Sequence, residues 1–117
     1  MTLPLTPHML VGAYEFLRTT PPYRRWRLPE GDGVKFAVNR HQGAIAMHQG
    51  GSECLIEVSS SIVGHTGTLL WVMGHELIHL HQYLAKLETS GTVHNADFRK
   101  KARAACRYHG WDERLFL

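Results

Sequence analysis

His75, Glu76 and His79 form the pattern His-Glu-x-x-His inside the run Gly74-His75-Glu76-Leu77-Ile78-His79. On a helix, residues four apart sit one above the other on the same face. Two imidazoles so placed can take two corners of a zinc tetrahedron. Glu76 is offset by one residue and stands beside the open coordination position. There it can accept a proton from a water that the metal has acidified towards a pKa of about 7. The chemistry this spacing predicts is metal-assisted hydrolysis, with Glu76 as the general base.

Such a centre needs a third protein ligand. His81 lies about 200° around a helix from His79 and cannot join. The short continuation that would put a third histidine one helical turn further on is absent, because Gln82 and Ala85 occupy its Gly and His positions. His94 is the candidate favoured here. It follows Gly91, where the chain turns back, and comes one turn before Phe98. Phe98, Ala102, Ala105, Cys106 and His109 have the spacing of an inward stripe. Asp97 is the rival ligand, although an acid in a first helical turn with Lys101 four residues on also has an ordinary stabilising role.

The elements that must position these groups follow from periodicity and breakers. Residues 8–19 read as a helix burying Leu10, Ala13, Tyr14 and Leu17, and Pro21-Pro22 stops it. After the turn signal Gly31-Asp32-Gly33, strands are expected over residues 34–38, 43–49 and 54–59. Their short connections predict an antiparallel meander. A long helix is expected over residues 67–88, with Thr66 as its N-cap and Gly91 as its terminator. On it, Leu70, Met73, Leu77, Leu80, Leu84 and Leu87 form one stripe. His75 and His79 fall nearly opposite, beside Val72, Tyr83 and Lys86. A last helix over residues 95–109 is closed by Gly110. The whole is one α+β domain, residues 1–117.

His75-Glu76-x-x-His79 followed by His94-x-x-x-Phe98 at the start of a basic helix resembles the SprT-like zinc metallopeptidases. The preceding Leu55-Ile56-Glu57-Val58-Ser59 and the apolar lead-in Leu69-Leu70-Trp71-Val72 also fit that family, so the likeness covers roughly residues 43–110. It implies a zincin-like fold, a small antiparallel or mixed sheet of about three strands packed on the motif helix, with flanking helices. It also implies zinc on His75, His79 and His94, with Glu76 as catalytic base. The family usually has His-Gly-x-Glu-Phe where this chain has His94-Asn95-Ala96-Asp97-Phe98, and the cysteine-rich ribbon of many members does not follow. A minimal catalytic core is the expectation.

Composition bounds the rest. With 44% apolar and 20% charged residues the chain reads as a soluble globular domain, expected in the cytoplasm, with no signal peptide and no membrane-spanning run. Cys54 and Cys106 are too isolated for a disulfide framework or a zinc ribbon. A net charge of +3 alone does not imply nucleic acid. Arg24, Arg25 and Arg27 interleave with Tyr23 and Trp26, and Arg99, Lys100, Lys101, Arg103 and Arg107 line the last helix. A weak DNA contact is therefore a candidate beside the polypeptide substrate. Tyr83, one turn beyond His79, is a candidate for hydrogen-bonding an oxyanion. His48 and His65 are candidate cleft residues, and residues 43–49 a candidate sheet edge for peptide. The competing reading is a non-enzymatic module in which zinc staples two helices, and Glu76 discriminates, since a structural site needs no base.

Overall fold

The computed structural model describes residues 5–40, 46–49, 54–60 and 66–116, with 46–49 as backbone. The order is α1 (Pro7–Arg18), a 3-10 turn (Tyr23–Trp26), β1 (Val34–Asn39), β2 (Ala46–Gln49), β3 (Cys54–Ser59), α2 (Thr66–Ala85), α3 (Ala96–His109) and α4 (Glu113–Phe116). Helices packed on one small sheet make it an α+β domain. His65, residues 43–45 and the connection 50–53 lie outside the described residues, as does the His48 side chain. Among the described residues no helix is long and apolar enough to cross a membrane.

α1 matches its sequence pattern. The Thr6 hydroxyl accepts from the Met9 N–H at 3.3 Å, Pro7 opens the first turn, and Leu10, Ala13, Tyr14 and Leu17 are buried. The Tyr14 ring meets Phe36 of β1 edge-on, with centroids 5.3 Å apart, and this seats the helix on the sheet.

The sheet is not the expected meander. Its order is β1-β3-β2, with β1 parallel to β3 (Val34 opposite Cys54, Asn39 opposite Ser59) and β2 antiparallel to β3 (Ala46 opposite Val58). Residues 40–53, which include β2, supply the dozen or more residues that parallel neighbours need between them. β3 takes the centre because its apolar side chains are wanted in the core: Ile56 and Val58 are fully buried. Short loops fixed which strands follow one another, but not which lie side by side. β2 is left as an edge strand.

α2 is buried round much of its circumference, through Leu69, Val72, Met73, Leu77, Ile78 and Leu80. It stops at Ala85, short of the expected residue 88. Lys86 takes a left-handed conformation (φ 58°), while the N–H groups of Lys86 and Leu87 donate to the carbonyls of Tyr83 and Gln82. That bonding pattern closes a helix without glycine. Leu84 and Leu87, expected in the core stripe, are consequently exposed where the helix runs out.

Candidate metal centre

α2 supplies His75 and His79 on one face, four residues apart, and the turn before α3 supplies His94. The candidate donor atoms of the three imidazoles all lie within 4.8 Å of one another. The buried Phe98 ring lies against all three, with centroids 5.0 Å from His75, 4.6 Å from His79 and 4.4 Å from His94. An apolar floor beneath three donor nitrogens restricts the rings to a few orientations.

The hydrogen bonds show which nitrogens face the centre. His75 Nδ1 lies 2.7 Å from the Phe116 carbonyl oxygen. A carbonyl can only accept, so Nδ1 carries the proton and donates, leaving Nε2 of the neutral ring with a lone pair. Burial pushes the His75 pKa down to about 4, so the ring is neutral near pH 7. His75 Nε2 is 3.1 Å from His79 Nε2. Two imidazole nitrogens that close share either a proton or a cation. A tetrahedral zinc with bonds of about 2.0–2.1 Å sets its ligands about 3.3–3.4 Å apart, near the separation seen here. Three imidazole nitrogen donors suit zinc well, and the residues present fit the ion. Burial likewise lowers the His94 pKa.

Glu76 is buried at 5% exposure, and its Oε2 stands 4.0 Å from His75 Nε2. With His75 neutral this contact is not an ion pair. Loss of hydration raises the Glu76 pKa to about 7, which makes the carboxyl a far better proton acceptor than an exposed one. The carboxylate adjoins the three-histidine group without belonging to it.

Asp97, the rival ligand, is committed elsewhere. Its Oδ2 accepts from Lys101 Nζ at 2.8 Å and from Gln82 Nε2 at 3.0 Å. Burial would raise its pKa, but these two hydrogen bonds, with the nearby Lys101 charge and His81, together outweigh burial and hold the carboxyl below the usual range. His81 points away from the centre and stacks on Trp26 with centroids 4.6 Å apart. Tyr83 is half-buried on α2, one turn beyond His79. A cavity of about 480 Å³ opens beside His79, walled by Glu88, Thr89, Ser90, Gly91, Thr92 and Val93.

No protein-family model, curated protein or solved structure matches this chain. Three imidazole nitrogens converge, one carboxyl is poised next to them, and a cleft gives access: a set able to bind a divalent ion and to move a proton beside it.

The sequence assigns no positioning role to three residues that shape the centre. Asn95 caps α3 by accepting from the Phe98 N–H at 2.9 Å, and Gln82 donates to the same oxygen at 2.9 Å. Phe116 holds His75. An Asn directly before a helical pattern was the available signal for Asn95. Nothing local announces Gln82 or Phe116, because their partners lie 13 and 41 residues away. The aromatic–basic cluster near residue 25 is not the interleaved surface expected from the sequence. Tyr23 is fully buried and cannot stack on a base, whereas Arg24, Arg25 and Arg27 are exposed. Lys101 is also withdrawn from the basic face by its ion pair with Asp97.

Proposed function

We propose that this chain is a zinc-dependent metallopeptidase of the SprT-like family with a zincin-like fold, in which His75, His79 and His94 hold the ion. The observation that carries this reading is the convergence of three histidine nitrogens within 4.8 Å, with the buried Glu76 carboxyl 4.0 Å from one of them. Zinc bound there supplies a Lewis acid for the scissile carbonyl and lowers the pKa of water. Glu76 accepts the proton of the attacking water and returns it to the departing amine, work suited to an acid whose pKa lies near neutrality. Tyr83 is the candidate donor to the carbonyl oxygen. The edge of β2, the end of the sheet among the described residues, suits an extended polypeptide, which could add to the sheet as a further strand. Free thiols at Cys54 and Cys106 agree with a reducing compartment, and we place the protein in the cytoplasm.

A zinc-stapled module without activity would need the same three histidines. What favours the enzyme is Glu76: burying a carboxyl costs free energy that a purely structural site has no reason to bear. Purified without chelator, the protein should carry about one zinc per chain and cleave an unfolded protein substrate, and a chelator should abolish cleavage until zinc is returned. Zinc uptake with no cleavage across a broad substrate panel would leave the module as the better reading.

Nucleic-acid contact is a second proposal, on the exposed Arg24, Arg25 and Arg27 together with Arg99, Lys100, Arg103 and Arg107 of α3. Single-stranded DNA should bind weakly and lose affinity steeply with salt, and no binding at about 50 mM salt would remove the proposal.

A further inference from the structure

The segment after α3 is built to reach the metal centre. Gly110 takes a left-handed conformation (φ 78°), and the N–H groups of Gly110 and Trp111 both donate to the Cys106 carbonyl, so the chain reverses at once. Trp111 then lies against α2 at Gly74, the residue just before His75. A Cβ built on Gly74 would come within 2.8 and 2.9 Å of the indole ring. Asp112 closes the short α4 turn by accepting from the Arg114 N–H at 2.9 Å through its side chain and from the Phe116 N–H at 3.0 Å through its carbonyl. Phe116 is 1% exposed, stacks on Trp111 at 5.5 Å and turns its carbonyl onto His75 Nδ1 at 2.7 Å.

We propose that Phe116 is a positioning residue for the metal centre: its docked carbonyl fixes His75 as the Nδ1–H tautomer, with Nε2 turned to the ion. The inference rests on the metal reading above and extends it to the segment 111–116. Metal-ligating histidines are commonly held through their second nitrogen, and loss of such a partner weakens metal binding by about 10- to 100-fold. Here the partner is a backbone carbonyl carried by a buried side chain. The Phe116 ring sets where the carbonyl sits, and Trp111 against Gly74 sets where the ring sits. Docking of this segment and zinc binding must therefore favour each other.

Zinc affinity of the full chain, measured by competition with a chromophoric chelator, tests this in wild type, Phe116→Ala and Phe116→Leu. Phe116→Ala should bind zinc about 10- to 100-fold more weakly while still folded by circular dichroism, and Phe116→Leu, which refills most of the space, should recover most of the loss. A long-range nitrogen–proton NMR correlation on the metal-free wild type should find the His75 proton on Nδ1. Should Phe116→Ala lower thermal stability yet keep wild-type zinc affinity, the residue is merely structural and the inference fails. A proton on Nε2 of His75 in wild type overturns it without any variant, even if Phe116→Ala does not fold. Failure of the wild type itself to take up zinc would instead bring down the metal reading, and the positioning role with it.

Discussion

The Gln82 side-chain amide donates to the Asn95 carboxamide oxygen at 2.9 Å, joining the last turn of α2 to the first turn of α3. Asn95 Nδ2 in turn donates to the Leu87 carbonyl at 3.2 Å and to the Thr89 hydroxyl at 3.1 Å, and so gathers in the loop between the helices. His94 is the residue next to Asn95 in the chain. The spacing between His94 and the pair on α2 thus depends on a side chain that touches no ligand itself. Asn95 thus both caps a helix and ties down a loop.

Asn95→Ala should lower stability by about 2–3 kcal/mol: about 1 for the lost cap and about 1–2 for the buried groups left with fewer partners. Asn95→Ser, which retains a capping oxygen, should recover part of this. Urea unfolding of the metal-free protein measures both. Equal losses for the two variants would mean that the cap contributes little.

Gly74→Ala sets two effects against each other. A helix interior gains about 1 kcal/mol from glycine to alanine, but the new Cβ would stand 2.6 Å from the Tyr23 hydroxyl oxygen and 2.8 Å from the Trp111 ring. Overpacking of this kind costs about 1–3 kcal/mol, and Tyr23, fully buried, has little room to retreat. The net expectation is destabilisation, read as a lower Tm of the metal-free protein. A raised Tm would show that the contact yields and propensity wins.

How much of this was legible in the sequence depended on range. The i, i+4 pair of His75 and His79 and the inward face of α3 are set by helical period and stand where the pattern puts them, and His94, from the turn before α3, lies beside the pair. The α1 core residues do too. Strand adjacency is a long-range choice: residues 54–59 gave up no sign that they would lie between the other two strands. α2 ends short of the sequence expectation because Lys86 accepts a conformation normally left to glycine, with Gly91 the obvious stop further on. The Tyr23–Arg27 run has the composition of a surface, and charge says nothing about whether an interleaved aromatic faces inward.

His109 offers a pH test away from the metal. Its ring stacks on Trp111 with centroids 4.5 Å apart, and Nε2 lies 3.2 Å from the Thr20 hydroxyl. Burial lowers its pKa, with a backbone hydrogen bond to Pro21 partly opposing. The folded value lies below the unfolded value of about 6.5, so below that pH the unfolded chain binds more protons. The contribution is fully present above about pH 6.5 and is lost as pH falls from there through the folded pKa. His109→Gln should flatten this part of the stability profile, taken as urea midpoints of the metal-free protein between about pH 7.5 and 5. Identical slopes in variant and wild type would mean that His109 titrates alike in both states.

Glu76→Gln separates peptidase from zinc module. Glutamine keeps the size of the side chain and most of its hydrogen bonding, but its amide cannot take a proton from water. Since the carboxylate adjoins the three histidines without joining them, zinc content should stay at the wild-type level. Stability should hold or rise slightly, because a neutral amide is easier to bury than a carboxyl that ionises near pH 7. Cleavage of an unfolded protein substrate should fall by about a hundredfold or more, the scale for losing a general base. Loss of zinc from Glu76→Gln would make the carboxylate a ligand or an essential prop. Undiminished cleavage would take the base away from Glu76 and require another residue in the cleft to move the proton.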